Sequence, residues 1–289
     1  MSENRPTLVI TGVTGFIGKH IAAYFVARDW HVIGIVRNVP LKHEKNILYF
    51  NHDLVSTECI SLPDDIDVFI HAGFIKQEDG IDAFELNKKG AENLLDSLSK
   101  KNVGSKIFLS SLSADANAAS VYGRQKAAIE DLFLKANGTI IRAGLVLGDG
   151  GLFGAMRKYL KTNNKIPLFG DGNQPLQTVF IDDLVLAIDK IISKKLFGKF
   201  VVACDEVVAY REFYKELAKS LGVKPRFIRM PYWFAALGIK MAQRFGKKIP
   251  IAKDNLLGLQ QMKKLHAVED LKKIGVKLID YKESFSKLK

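Results

Sequence analysis

Thr11-Gly-Val-Thr-Gly-Phe-Ile-Gly18 is the stretch whose reading decides the fold. Before it, residues 7–11 (TLVIT) form a short apolar run of the kind that makes a buried strand. After it, residues 16–28 carry a helical pattern. Gly12 permits a tight turn, Gly15 lets backbone amides approach an anion, and Gly18 lets helix and strand pack closely. The helix that follows presents unpaired N–H groups and the positive end of its dipole. Strand, glycine loop and helix together predict a pyrophosphate site for a dinucleotide. Its expected lining is Gly12, Thr14, Gly15, Phe16, Ile17 and Gly18.

The flanking sequence repeats that alternation. Apolar runs at 32–36, 46–50, 68–71, 106–110 and 139–142 read as strands, and 83–100 and 121–135 as helices. Near-continuous apolar runs mean strands covered on both faces, and alternation with helices implies parallel crossovers. The expected class is α/β, a Rossmann-type doubly wound parallel sheet. Glycines and loops follow residue 147, and a helix at 182–193 and a strand at 199–203 look like a return to the sheet. Beyond 205 the pattern is mostly helical, apart from a strand at 226–230. The expected division is a dinucleotide-binding domain over 1–148, with 174–204 returning to its sheet. Residues 149–173 and 205–289 form a smaller, mostly helical substrate lobe.

Tyr122-Gly-Arg-Gln-Lys126 places a phenol and an ammonium one turn apart on a helix face. A nearby ammonium is expected to lower the phenol's pKa and fit it for proton transfer. The second strand ends Val36-Arg37-Asn38, with no carboxylate to grip a ribose 2′-hydroxyl. Arg37 is suited instead to a 2′-phosphate, which favours NADP over NAD.

With its G-x-x-G-x-x-G spacing and Tyr-x-x-x-Lys pair, the chain resembles the extended and atypical short-chain dehydrogenase/reductase superfamily, the branch of NAD-dependent epimerases and dehydratases. The resemblance is strong to about Gly148 and looser beyond. It implies that Asp53 takes the adenine amino group, that Leu54 covers the ring, and that Ala72 and Gly73 pass close to the cofactor ribose. It gives Asn87 a structural or proton-relay role near the cofactor. It assigns the ribose to Lys126 and makes Ser111 the third catalytic member, with Ser113 as the alternative. Backbone at Ala143, Gly144, Leu145 and Val146 would face the nicotinamide amide. The stretch from Ser111 to Tyr122 is shorter than in most extended members. Asp182 or Asp183 is expected to cap a helix. Arg142 is expected to pair with a buried acid or reach substrate, and His71 to be packed at a strand end. Two nucleotide-sugar features are missing: Ala143-Gly144-Leu145 stands where an Asn is usual, and Leu176-Gln177-Thr178 where an Arg is usual. Members often pair through the helices at 83–100 and 121–135, so a monomer or homodimer is expected.

With 289 residues and 47% hydrophobic content the chain can bury a sizeable core. Cys59 and Cys204 are the two cysteines, and no Cys/His cluster has metal-ligand spacing. No signal-like segment precedes the first strand, so a cytoplasmic setting is expected. The greasy stretch 231–245 is broken by Lys240 and Arg244 and is too short to span a bilayer. It reads as an aromatic helix packed in the small lobe, or one that lies on a membrane surface through Lys240, Arg244, Lys247 and Lys248. The net charge is +12, and the last fifty residues carry thirteen Lys/Arg against five Asp/Glu. That excess suits a solvated face, an anionic substrate or an anionic membrane surface; no nucleic-acid motif accompanies it. The favoured function is an NAD(P)-dependent oxidoreductase acting on a small carbonyl or hydroxyl substrate, with Tyr122 as general acid/base. The alternatives are a nucleotide-sugar epimerase or dehydratase, and a non-catalytic dinucleotide-binding sensor or scaffold.

Overall fold

In a computed structural model of the chain, residues 5–41, 44, 46–54, 56, 60–75, 82–163, 165–232, 234 and 253–288 are described. Cys59, Lys240, Arg244, Lys247 and Lys248 lie outside them, as does most of the expected aromatic helix. The short apolar runs become parallel strands: β1 (Thr7–Thr11), β2 (His31–Val36), β3 (Ile47–Asn51), β4 (Asp65–His71), β5 (Asn102–Ser111), β6 (Thr139–Ala143) and, far along the chain, β11 (Lys199–Val202). They form a seven-stranded sheet in the order β11-β6-β5-β4-β1-β2-β3. Helices α1 (Phe16–Val26), α2 (Ala83–Ser99) and α3 (Val121–Lys135) make the crossovers.

Alternation along each strand sends side chains to opposite faces, each covered by helices. On one face Leu8 and Ile10 of β1 join Ile21, Ala22 and Phe25 of α1 and a helix α5 (Ile181–Ser193). On the other, Val9, Phe69 and Phe108 meet Ala91, Leu94 and Leu98 of α2 and Ile129 and Phe133 of α3. The chain switches direction of winding at β1, which pairs β2 on one side and β4 on the other. A crevice opens at the carboxyl ends of the strands at such a point.

Between Leu147 and Ile181 the structure departs from the expected loops. Helix α4 (Gly151–Thr162) forms here, with strands β7 (Leu145–Leu147), β8 (Lys165–Phe169), β9 (Pro175–Leu176) and β10 (Thr178–Phe180) around it. Gly151 and Gly154 argue against a helix on propensity. Packing overrides them, because Phe153 and Leu160 share a face and are buried, Phe153 against Phe213 and Phe285. Strands β12 (Val208–Ala209) and β13 (Arg226–Met230) pair β9 and β8, while α6 (Tyr210–Ser220), α7 (Lys253–Gln260), α8 (Val268–Ile274) and α9 (Tyr281–Lys287) supply the helices.

The chain's last residues are tied down by carboxylates. Asp270 accepts from Val201 N of edge strand β11 at 2.8 Å, and Asp205 from Ala267 N at 3.1 Å. Asp183 accepts from Ile279 N at 2.8 Å. The expectation that Asp182 or Asp183 caps α5 is therefore corrected. Phe180 is the N-cap, no side chain caps it, and both aspartates lie inside the first turn. Asp183 is drawn to a distant amide rather than to its own helix. No helix among the described residues is long and apolar enough to cross a membrane.

Candidate active site

Strand register gathers the expected site residues at one edge of the sheet. Thr11 is level with Ile35 and His71, His71 with Phe108, and Ser111 with Ala143. The loops leaving these strands therefore share the crevice. Gly12 has φ +71, and a Cβ there would lie 2.7 Å from Gly73 N and 2.8 Å from Ala72 C. A Cβ on Gly18 would lie 2.1 Å from Gly12 O, so helix α1 approaches the loop as closely as its sequence predicts. Gly15 is the N-cap of α1, no side chain caps it, and no acid occupies the first turn. Thr14 and Gly15 are exposed. This combination fits an external anion, which would satisfy the free amides and the dipole. The ring of Phe16 packs into a socket formed by Gly148, Gly150 and Gly151.

The supporting loops are pinned by side chains. Gly73 N donates to Thr11 Oγ1 at 3.0 Å, and Thr11 Oγ1 lies 2.7 Å from His71 Nδ1. His71 stacks on Phe108 and Phe133, and burial holds its imidazole neutral, with a pKa of about 3. Asn87 is committed to backbone, accepting from Ile75 N at 2.8 Å and donating to Ile75 O and Ala83 O. These bonds tie Ile75, just after β4, to the first turns of α2. Asn93 donates to Leu54 O and Ser56 O and fixes the loop that carries Asp53. Arg37 is exposed where β2 leaves the sheet, its carbonyl accepting from Asn51.

Three side chains meet at the end of β5. Tyr122 lies close enough to Ser111 for the serine hydroxyl to act on its phenol, and Ser111 Oγ accepts from Ser113 N at 3.2 Å. Lys126 is 5% exposed, and its Nζ donates to Leu109 O at 2.8 Å. The same ammonium lies 4.6 Å from the Phe108 ring centre and 5.0 Å from that of Phe74, and Phe74 packs edge-on against Tyr122. Burial outweighs everything else here. It raises the Tyr122 phenol above its ordinary range, opposed by the neighbouring Ser111 hydroxyl. It lowers Lys126 to about 7, opposed by the charge of Glu130. The expected lowering of Tyr122 by its lysine is opposed here, because desolvation of the phenol raises its pKa.

Below the pair lies a charged knot that sequence reading half foresaw. Glu130, 1% exposed, accepts from Ser110 Oγ at 2.5 Å, from Arg142 Nε and Nη2 at 2.8 and 2.7 Å, and from Lys199 Nζ at 2.7 Å. Arg142 is therefore paired with a buried acid. Ser110 and Lys199 carry no motif that would have revealed them.

The C-terminal residues reach the site too. Gln177 is 2% exposed, donates to Cys204 O and Leu265 O, and accepts from Leu265 N at 2.7 Å. Gly144 is wedged against Gln177 O, and Leu145 N donates to that oxygen. Ala143, Leu145 and Val146 thus line the strip between Ser111 and β10. Asp254 accepts from Val121 N at 2.5 Å and Tyr122 N at 3.0 Å, and no sequence signal pointed to it. Cys204 is free, and burial pushes its thiol up to about 11, which makes it a poor nucleophile. No cluster of metal-ligating side chains occurs among the described residues.

Residues 8–203 match the family model of the NAD dependent epimerase/dehydratase family. Among curated proteins, a ceramide reductase of Caulobacter vibrioides is 25% identical over 80% of this chain and 75% of its own length. A decarboxylating sterol-4-alpha-carboxylate 3-dehydrogenase of Candida albicans is 24% identical over 80% of each chain. Among solved structures, the UDP-glucuronic acid 4-epimerase of Bacillus cereus in complex with NAD has a TM-score of 0.65 and 19% identity, covering 88% of this chain and 94% of that one.

Proposed function

Because this chain belongs to the NAD-dependent epimerase/dehydratase family, we propose that it is an NAD(P)-dependent oxidoreductase that reduces a carbonyl, or oxidises the matching hydroxyl, of a small apolar molecule. Residues 1–148 with 174–204 hold the dinucleotide, and 149–173 with 205–289 hold the substrate. The observation that carries the reading is the buried Lys126 with the half-buried Ser111 and Tyr122 beside the Gly12–Gly73 crossing. The bound nicotinamide supplies the hydride. Tyr122, kept protonated by burial, donates to the substrate oxygen as negative charge develops on it. Ser111 holds that oxygen in line. Lys126, buried near neutral pKa, supports the phenol and binds the ribose. Asp53 and Leu54 meet the adenine, and Ala143, Leu145 and Val146 the nicotinamide amide.

Two observations favour net redox over nucleotide-sugar epimerisation or dehydration. Gln177 stands where nucleotide-sugar enzymes usually place an arginine, and it is buried and spent on backbone. Three curated relatives are named for net redox reactions, two of them on a ceramide and a sterol and the third, from a Streptomyces, on a dTDP-sugar. Incubating the protein with deuterated NADPH or NADH and separate pools of long-chain ketones, sterol ketones and UDP-sugars tests the reading. Deuterium in a ketone product, with net cofactor oxidation, supports it. A UDP-sugar converted without net cofactor change sinks it in favour of epimerisation or dehydration. Tyr122→Phe is expected to cut turnover by about 10²–10⁴-fold and leave dinucleotide affinity within about twofold. NADP is favoured by Arg37, so Arg37→Ala should weaken NADPH binding about tenfold, as loss of a charge-assisted contact would. Tighter NADH than NADPH binding in the parent protein refutes that preference.

A further inference from the structure

The first turn of a helix has backbone N–H groups without intrahelical partners. At the start of α3 those groups belong to the segment that carries Tyr122. The side chain of Ser120, the N-cap, accepts from Gly123 N at 3.1 Å. The neighbouring amides turn to α7. One oxygen of Asp254 accepts from Val121 N at 2.5 Å and the other from Tyr122 N at 3.0 Å, across 132 to 133 residues of sequence. Just past the end of α7, Gln261 Oε1 accepts from Ala119 N at 2.5 Å. Helix α7 thus lies across the start of α3, where a Cβ built on Gly258 would lie 3.8 Å from Ser120 Oγ.

Asp254 also sits in the first turn of α7 itself. One carboxylate therefore sits at the N-terminal ends of two helices. The other side of α7 is rooted elsewhere. Leu256, 3% exposed, packs with Phe169 of β8, and Met230, Tyr232 and Leu259 close round the pair. Helix α7 is gripped by the C-terminal region through apolar packing and grips the catalytic turn through three hydrogen bonds.

We propose that Asp254 is a positioning residue for Tyr122, and that α7 is a clasp through which the C-terminal region holds the catalytic turn in register with Ser111. The inference rests on Tyr122 as the acid/base group. The reason is geometric: Ser120 secures one of the exposed amides, so the turn is not self-sufficient. A misplacement of about 1 Å at a reacting group costs about 10²-fold in rate.

The test places 3-fluorotyrosine at position 122 in the full-length protein and reads its ¹⁹F signal, the amide exchange of residues 119–123, dinucleotide affinity and hydride-transfer rate. Asp254→Ala is expected to broaden or split the ¹⁹F line and speed exchange at Val121 and Tyr122. It should lower the rate about 30- to 100-fold and leave dinucleotide affinity within about twofold. Asp254→Asn keeps an acceptor oxygen and should recover the rate to within about fivefold of the parent. A parent-like ¹⁹F line and rate in Asp254→Ala overturns the inference. So does an equal deficit in both variants with dinucleotide affinity lost, since that is general unfolding. If Asp254→Ala does not fold, Gln261→Ala is read instead: faster exchange at Ala119 with a shifted ¹⁹F line supports the clasp, and no change at Tyr122 overturns it. The spectroscopic readings need no substrate. If Tyr122→Phe leaves turnover intact, the acid/base assignment falls while the clasp is still measured.

Discussion

The two ends of this chain are held by different physics. Over the first 143 residues, the sheet and its helices are joined by parallel ladders and by apolar side chains at strand and helix periods. After residue 175 apolar packing continues, with Phe213, Ile274 and Phe285 in the same core, but single polar side chains seizing distant backbone are added to it: Gln177 on Leu265, Asp183 on Ile279, Asp205 on Ala267, Asp254 on Tyr122, Asp270 on Val201. The first kind of attachment is distributed over many contacts. The second concentrates on a few atoms, so it should fail locally and one segment at a time.

The sharpest way to break this contrast lies in the first region, where one polar group does bear concentrated load. Glu130→Ala leaves Arg142 and Lys199 without their anion and Ser110 without its acceptor. A loss of about 3 kcal/mol of global stability is expected, because removing one partner of a buried pair strands the other. Urea midpoints measure it, and a loss under about 1 kcal/mol shows that solvent reaches the cations readily. Gln177→Ala tests the second region. Three backbone hydrogen bonds at Cys204 and Leu265 disappear, with an expected cost of about 2 kcal/mol. Hydrogen exchange should quicken around residues 262–267 and leave β1, β4 and β5 unchanged. Uniform quickening over the sheet means that the two regions unfold as one unit.

The smallest effect near neutral pH comes from His71. Its folded pKa, about 3, lies below the ordinary 6.5. The unfolded chain therefore binds the extra proton first, and the stability this histidine contributes is complete above about pH 6.5 and lost as pH falls toward 3. At pH 6 the loss is below about 1 kcal/mol and grows with acid. His71→Gln should flatten that limb in thermal melts taken between pH 4 and 7. An unchanged slope assigns the acid sensitivity to other groups.

Most of the parallel sheet was legible because its signals are local. A strand of TLVIT, a glycine turn and an amphipathic helix constrain one another within twenty residues, and Tyr122 and Lys126 share a helix face by spacing alone. Helix α4 was not legible, since its glycines point to loops and only the pocket around Phe153 makes a helix the better solution. Asp183 looked like a cap because aspartates near helix starts usually are. In the fold the Ile279 amide lies within its reach, and it serves that one.

The sequence by itself determined the doubly wound sheet, the glycine crevice and the identity of the residues that meet there. Backbone sterics and side-chain period act over a few residues, and the alphabet records them directly. Tertiary structure alone decided that burial raises the Tyr122 phenol, that Glu130 gathers two cations and a hydroxyl, and that Asp254 closes the start of the helix carrying Tyr122. Each of these depends on which groups are left without water or without a partner once the chain is packed, and no local pattern carries that information.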